Sequence, residues 1–233
     1  MTPKDIDSNG KTIAISATGD TAPGTANGAG AVYVFDRNSD DTFTRVGILT
    51  GAFTNNSHSG SMEPSSSQYG QKLQVVNNGN TVVVASPQQE RNSGGDHYGA
   101  VEIWDRDITT NQFSRVHRIS YDPTTEYNLG GSLGSGLFCT DDGRIMVIGD
   151  YNLANNSQLS PIIYGGFHVY ERLGNTFTRK SITYGPRGSA GDFGFNGIAA
   201  KFFIPNELNF FFFKIFSKSD LNLSISNLRF GTI

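Results

Sequence analysis

The chain repeats one pattern of residues three times, at intervals of 64 to 70 positions. Each copy begins with a glycine followed by an apolar run, continues with β-branched and aromatic residues, and ends with Phe, then Thr or Ser, then Arg. The apolar runs lie at 10–15, 79–84 and 143–148, the aromatic runs at 31–37, 100–106 and 166–172, and the final triplets at 43–45, 113–115 and 177–179. Self-similarity at a fixed period indicates that the chain stacks copies of one supersecondary unit.

Strands are the predicted element in every copy. The aromatic runs are rich in β-branched and aromatic residues and are bounded by Gly and Asp, which is typical of β-strands. The Val82-Val83-Val84 run is apolar throughout, as expected for a strand buried on both faces. Asn-Gly at 9–10 and 78–79 and Asp-Gly at 142–143 tolerate positive φ, so the sequence predicts a two-residue hairpin turn at each.

One further strand is predicted in each copy, from a bulky residue followed by glycine. Tyr69-Gly70, Leu133-Gly134 and Phe193-Gly194 each precede an aliphatic residue by a few positions. The glycine allows another backbone to approach closely while the bulky side chain covers it. Each copy thus contains four short strands, which together make one antiparallel blade of a β-propeller.

This pattern resembles the FG-GAP repeat of integrin-α-type β-propellers. Phe193-Gly194 matches the Phe-Gly pair, residues 84–87 stand where the Gly-Ala-Pro portion falls, and residues 99–104 are similar to the Gly-Ala-Val-Tyr-Val-Phe strand. The likeness covers about residues 5–200. We therefore predict an all-β chain, a propeller-like array of about three four-stranded antiparallel blades in an incomplete ring.

Blade boundaries follow from the phase of the repeat. The blades are predicted at about 1–68, 69–132 and 133–200, with three strands in blade 1 because the chain opens after the Phe-Gly-type strand. Residues 201–233 form a divergent tail that contains eight of the 17 Phe residues. One hypothesis is a read-through or frame-shifted gene end. The alternative is an apolar β-segment that caps the incomplete ring.

Composition excludes several classes of function. A net charge of −3 and scattered Lys and Arg argue against a nucleic-acid partner. The single Cys139 excludes an intrachain disulfide and a cysteine-based zinc site, and it is expected to be a small buried residue. Neither a signal peptide nor an apolar run of about 20 residues, the length of a membrane span, is visible.

Calcium is the candidate cofactor. The resemblance implies hairpin loops in which alternate Asp oxygens converge on the ion. Asp5, Asp7 and Asn9 match the first half of such a loop, but Ile13 stands where its closing carboxylate would be. The alternative is that all three blades have hairpin turns and no metal.

Other polar motifs favour structural roles. Residues 130–134 match Gly-x-Ser-x-Gly, but the motif precedes a predicted strand, whereas a nucleophilic serine needs a strand before it and a helix after it. The four histidines show no metal-ligand spacing, and they are His58, His97, His117 and His168. Arg37, Arg106 and Arg172 each follow an acid at one blade position, which indicates a recurring ion pair or an Arg packed on an aromatic ring.

Ligand recognition is expected in the long polar loops, because rigid repeat scaffolds carry function there. The most charged loop supplies the candidate ligand-binding residues Glu90, Arg91, Asp96 and His97. The resemblance implies a non-enzymatic scaffold for adhesion or for binding a protein or glycan, extracellular or at a cell surface. Such a chain would be part of a larger protein or would close its ring as a homo-oligomer. The alternatives are an accessory domain of a secreted enzyme and a truncated gene product without independent function.

Overall fold

The computed structural model describes residues 4–21, 29–51, 69–87, 99–120, 127–128, 132–150, 153–155, 162–163, 165–184, 198–199 and 214–215. The strands, in chain order, are β1 Lys4–Ile6, β2 Thr12–Ala17, β3 Ala31–Arg37, β4 Phe43–Leu49, β5 Lys72–Val76, β6 Thr81–Ser86, β7 Ala100–Arg106, β8 Phe113–Ser120, β9 Tyr127–Asn128, β10 Leu133–Cys139, β11 Ile145–Asp150, β12 Leu153–Asn155, β13 Ile162–Ile163, β14 Gly166–Leu173, β15 Thr176–Tyr184, β16 Ile198–Ala199 and β17 Lys214–Ile215.

Three four-stranded antiparallel sheets confirm the predicted all-β blades. Blade 1 has the order β1-β2-β3-β4, blade 2 the order β5-β6-β7-β8, and blade 3 the order β10-β11-β14-β15. The inner strand β5 of blade 2 lies beside both β1 of blade 1 and β10 of blade 3, as in a propeller. Two small sheets, β13-β12-β9 and β16-β17, accompany the blades. Within the described ranges the chain forms no helix.

Two details of the predicted blades were wrong. Blade 1 has four strands, because Lys4–Ile6 pairs with β2 in the register Asp5↔Ala14 without any Phe-Gly-type pair. The turns between the first and second strands of the blades are also longer than the two residues predicted. In blade 2 Val76 pairs with Thr81, which leaves four residues in the turn. There the Gly79 N–H donates to the Val76 carbonyl, and a glycine at φ +80° helps to close the turn.

The core lies between the blades. Alternate residues of β6 point in opposite directions: Val82 and Val84 pack in a cluster with blade 1, and Val83 and Ala85 pack in a cluster with blade 3. All four side chains are at most 1% exposed. The uninterrupted apolar run of this strand is thus explained by burial on both faces, as predicted.

The predicted close approach at the bulky-residue–glycine pair is confirmed in blades 2 and 3, although the nearest atoms belong to side chains of the neighbouring strands rather than to a backbone. Gly70 lies against blade 1, where an added Cβ would stand 2.6 Å from the Ser16 Cβ. Gly134 lies against blade 2, where an added Cβ would stand 2.9 Å from the Ala85 Cβ. Both glycines have positive φ, of +84° and +96°. The third pair, Phe193-Gly194, lies outside the described residues.

The recurring acid–Arg pattern joins neighbouring blades. Arg106 of blade 2 donates two hydrogen bonds of 2.9 Å to the Asp36 carboxylate of blade 1. The Arg106 guanidinium also stacks over Phe113 of its own blade, 4.8 Å from the ring centroid. The Thr12 hydroxyl donates to Asp36 at 2.9 Å, which holds the carboxylate in place. We call this arrangement the inter-blade clamp.

The clamp is repeated between blades 2 and 3. Arg172 pairs with both oxygens of Asp105, and it stacks over Phe177 at 5.2 Å. Thr81 donates to Asp105 at 2.8 Å. Both expected roles of the recurring arginines, ion pair and ring packing, are therefore confirmed for Arg106 and Arg172.

Because neighbouring strands are antiparallel, successive connections lie at opposite ends of the blades. Connections from first to second strands and from third to fourth strands are two to six residues long and lie at the end that holds the clamps. We call this the turn end. Second-to-third connections and blade-to-blade connections are 12 to 22 residues long and leave from the opposite end, the loop end. Long, variable sequence is thereby confined to one side.

The predicted domain boundaries stay a prediction, as does the origin of the tail. Lys214–Ile215 of the tail pairs antiparallel with Ile198–Ala199. β16 lies beside β10 of blade 3. Residues 201–213 and 216–233, which include the Phe-rich run, lie outside the described residues.

We expect Gly70→Ala to lower the free energy of unfolding by about 2–4 kcal/mol, because the new methyl group adds a steric clash to an unfavourable positive φ. Urea denaturation of the full chain measures the change. Gly10→Ala is the matched control: it has φ +71° but open space around its Cβ position. It should cost only about 1–2 kcal/mol. Equal losses in the two variants would contradict the close approach.

We expect Arg106→Ala to lower the free energy of unfolding by about 1–3 kcal/mol, because it removes a bidentate, charge-assisted hydrogen bond whose Arg side chain is only 10% exposed. Arg37→Ala should change it by less than about 0.5 kcal/mol, because its Asp41 partner is 74% exposed. A double-mutant cycle of Asp36→Ala and Arg106→Ala measures the coupling. A coupling of zero would show that the clamp does not hold the blades.

Candidate functional site

The loop end carries one polar side chain per blade at an equivalent position, the third residue of the third strand. These residues are Tyr33 in blade 1, Glu102 in blade 2 and His168 in blade 3. They differ in chemistry, whereas the clamp residues at the turn end repeat. The loop end is therefore the candidate functional site, and each of the three residues has its own polar surroundings.

Glu102 lies at the centre of a buried network between blades 1 and 2. Its side chain is 2% exposed and pairs with Arg115 at 2.9 Å. The Tyr69 hydroxyl donates to the other carboxylate oxygen at 3.1 Å, and the Trp104 indole N–H donates to the Tyr69 hydroxyl at 2.9 Å. Burial, reinforced by the charge of Glu102, raises the pKa of Tyr69 well above its ordinary value. A charge-assisted network of this kind fixes its side chains in one arrangement.

His168 occupies the same position in blade 3 with a different partner. Its Nε2 lies 3.8 Å from an oxygen of Asp150, and both side chains are buried, at 1% and 2% exposure. Within the part of the chain that the structure describes, neither ring nitrogen has a hydrogen-bond partner. The imidazole also lies beside the Tyr170 ring, with centroids 6.4 Å apart. Burial raises the pKa of Tyr170 to about 12.

Tyr33 completes the set in blade 1. Its hydroxyl donates to the Asp20 carboxylate, and this hydrogen bond is the main cause of a raised pKa of Tyr33. Asp20 lies just beyond β2, where the long connection to β3 begins. The three equivalent positions thus place a phenol, a carboxylate and an imidazole near the strand ends from which the long loops leave.

Sequence reasoning missed these residues as a set, although one signal was present. Glu102 is a charged residue inside the otherwise apolar run Ala100-Val101-Glu102-Ile103-Trp104. A buried carboxylate requires a cation or several donors. The cation that pairs with it, Arg115, stands 13 positions later, in the repeated Phe-Ser-Arg triplet.

The predicted loop ligands Glu90, Arg91, Asp96 and His97 lie outside the described residues. They belong to the connection from β6 to β7, which leaves blade 2 at the loop end. Their role therefore stays a prediction. His58 is likewise outside the described residues.

The predicted calcium ligands lie at the turn end and are engaged in backbone hydrogen bonds. The Asp5 carboxylate accepts from the Val75 N–H of blade 2 at 2.7 Å. One oxygen of Asp7 accepts from the Lys11 and Thr12 N–H groups at 2.8 and 2.9 Å. Asn9 accepts from Lys11 at 3.0 Å.

The second oxygen of Asp7 is buried without a hydrogen-bond partner among the described residues. No group of three His, Cys, Asp or Glu side chains in the described ranges could hold a metal ion. The turn is thus built by the same residues that were assigned to calcium. The metal site stays a prediction, and the unpartnered Asp7 oxygen is the atom most available to it.

Three other expectations are confirmed. Cys139 is 4% exposed and packs in the core between blades 2 and 3, and burial raises the pKa of its thiol. A strand, β10, directly follows Ser132 of the Gly-x-Ser-x-Gly match, as predicted. His117 lies in β8 and stacks on Phe177 at 4.5 Å, and burial lowers its pKa.

Comparison with solved structures supports the architecture. A periplasmic gluconolactonase from Pseudomonas aeruginosa, PpgL, matches with a TM-score of 0.50 and 9% identity over 98% of this chain and 56% of its own. This chain has the fold of a partial β-propeller.

Two further structures match more loosely: Sqt1 from Saccharomyces cerevisiae, with a TM-score of 0.45 and 11% identity over 78% of this chain, and a protein from Lactobacillus plantarum, with 0.44 and 12% over 78%. The chain covers 35% of the former and 40% of the latter. It thus spans from about a third to just over half of these structures. No protein-family model matches the sequence, and no curated protein matches it either.

No helix in the described ranges is long and apolar enough to cross a membrane.

We expect Asp5→Asn to be more stable than the wild type at pH 7 and equally stable near pH 3. Burial, with smaller contributions from the charges of Asp7 and Asp141, raises the pKa of Asp5. A raised folded-state pKa adds stability below the unfolded-state value of about 3.9, and that stability is lost as the pH rises through the folded-state value. Asn retains the acceptor for Val75 without the buried charge.

Urea denaturation at pH 3, 5 and 7 measures this difference. Blade 2 already has a neutral amide at the position equivalent to Asp5. This residue, Gln74, accepts a hydrogen bond from the Cys139 N–H of blade 3. Asp5→Ala is the control, because it removes the acceptor and should lower the stability at every pH. If the stability of Asp5→Asn relative to the wild type falls between pH 3 and pH 7, the pKa of Asp5 is not raised in the folded chain.

Proposed function

We propose that the chain is a non-enzymatic binding scaffold of the FG-GAP β-propeller type, which serves adhesion or ligand capture in an extracellular or cell-surface setting. The observation that carries this proposal is the contrast between the two ends of the array. At the turn end, the acid, the Arg and the aromatic ring repeat and are used in blade-to-blade contacts. At the loop end, the equivalent residues differ in every blade.

Repetition is what an architectural role requires, because each boundary needs the same contact. Variation is what recognition requires, because a ligand presents different groups to different blades. The loop end has a rigid base, because an ion pair and hydrogen bonds join the side chains of Glu102, Arg115, Tyr69 and Trp104. Binding residues held on a rigid base lose little conformational entropy when a ligand binds.

The ligand is proposed to contact the loops that leave this end, above all the connection from β6 to β7. Glu90, Arg91, Asp96 and His97 in that connection combine carboxylate, guanidinium and imidazole groups. Such a set suits the hydroxyl groups of a glycan or a charged patch of a protein. Calcium at Asp5, Asp7 and Asn9 would lie at the other end, and its proposed role is to stabilise the first turn.

We expect the full chain to bind at least one member of a glycan array or of a panel of immobilised extracellular-matrix proteins. Replacement of Glu90, Arg91, Asp96 and His97 together by Ala should weaken that binding at least about tenfold, because it removes the charged contacts. The melting temperature should not change. The matched control is Arg37→Ala with Asp41→Ala, at the turn end, which should bind as the wild type does.

Absence of binding to both panels, or equal binding by the loop variant, would contradict the proposal. Because the chain is similar in fold to a gluconolactonase, gluconolactone hydrolysis is the enzymatic activity to measure in the same experiment. Hydrolysis of gluconolactone by the purified chain above the uncatalysed rate would overturn the non-enzymatic assignment.

A further inference from the structure

Blade 1 has an apolar face that is covered in the other two blades. Ile15 is 39% exposed, whereas its repeat equivalents Val84 and Ile148 are fully buried. Ile6 is 50% exposed, whereas its equivalent Val75 is 4% exposed. In blades 2 and 3 this face packs against the preceding blade. We call it the receiving face.

The receiving face of blade 1 also carries half of a clamp. Arg37 is the equivalent of Arg106 and Arg172, which pair with the acid of the preceding blade. Instead, Arg37 pairs with Asp41 on its own blade, and the two side chains are 47% and 74% exposed. Phe43, the equivalent of the ring beneath Arg106, is 47% exposed. A cation and a ring are thus present at the positions where the other blades form a clamp.

Blade 3 carries the other half at the opposite side of the array. Glu171 is the equivalent of Asp36 and Asp105, the two acids that are clamped by the following blade. It pairs instead with Arg144 and Lys180 of blade 3, whose side chains are 61% and 48% exposed. Leu173, two residues further along the same face of β14, is 78% exposed.

We propose that the receiving face of blade 1 binds the Glu171 side of blade 3 in a second copy of this chain. Arg37 of one copy pairs with Glu171 of the other, and it stacks on its own Phe43. Leu173 of the second copy contacts that ring. The contact reproduces the inter-blade clamp between two molecules.

Charge and exposure argue for this occupant. The receiving face offers an arginine, and the described part of the chain presents an acid at the clamp position of blade 3 that no other blade engages. The present partners of Arg37 and Glu171 are exposed ion pairs, which contribute little to stability, so exchanging them costs little. The exposed side chains of Phe43 and Leu173 lose contact with water in the same step.

The contact is confined to the turn end of blade 3, because Val147, Phe167 and Val169, nearer the middle of the same face, are already at most 5% exposed. β16 lies beside β10, the inner strand of this blade, while Glu171 and Leu173 lie at the turn end of β14. The contact joins two different surfaces, so it is heterologous and either closes a ring of copies or extends into a filament. This inference is independent of the proposed ligand function.

Sedimentation velocity of the full chain over a concentration series tests the proposal. The wild type should associate, and Arg37→Glu and Glu171→Arg should each weaken association at least about tenfold, because each places like charges in contact. An equimolar mixture of the two variants should associate as the wild type does, because the carboxylate introduced in one chain then meets the guanidinium introduced in the other. Lys72→Glu, an exposed charge reversal on blade 2, is the control and should leave association unchanged.

Circular dichroism and the melting temperature of each variant show whether it is folded. A wild type that remains monomeric throughout the series would overturn the proposal. So would normal association of Glu171→Arg, which would indicate that two receiving faces bind each other. Failure of the mixture to recover association while both variants are folded would equally overturn it.

Discussion

Burial of the second strand of a blade between its neighbours is the constraint on which the structure depends. A four-stranded blade has two faces and cannot cover either of them alone. In blade 2, Val82 and Val84 are covered by one neighbour and Val83 and Ala85 by the other. At about 25 cal/mol per Å² of apolar area, this burial is the main favourable term in stacking. The clamps, the glycine contacts and the shared hydrogen bonds then set the register of one blade on the next.

Much of this architecture could be predicted because short runs of residues, repeated in each blade, determine it. The apolar run at Val82–Val84 predicted a doubly buried strand, and the recurrence of Arg106 and Arg172 predicted an architectural pair. The partner of each arginine could not be read in the same way. Each arginine follows an acid in its own blade, yet it binds the acid of the preceding blade, 67 to 70 residues away.

The loop end was less predictable for a different reason. The importance of Glu102 depends on Tyr69 and Arg115, which are 33 and 13 positions away and approach it only after the strands of blade 2 have paired. Strand β1 was missed because Lys4–Ile6 has a single apolar residue and no alternating pattern, and it is held as a strand by its pairing with β2. Local periodicity therefore predicts the blades, whereas side-chain contacts between different strands require the folded chain.

The clamp has a consequence for synthesis of the chain. Asp36 of blade 1 receives its arginine from position 106, which leaves the ribosome 70 residues later. At about 5–20 residues per second, that delay is roughly 4–14 s. During this interval Val32 and Val34 of blade 1 are exposed to water, because blade 2, which later buries them, is not yet complete. Nascent blades of this type thus pass through a timed window in which a chaperone, or another nascent chain, competes with the next blade.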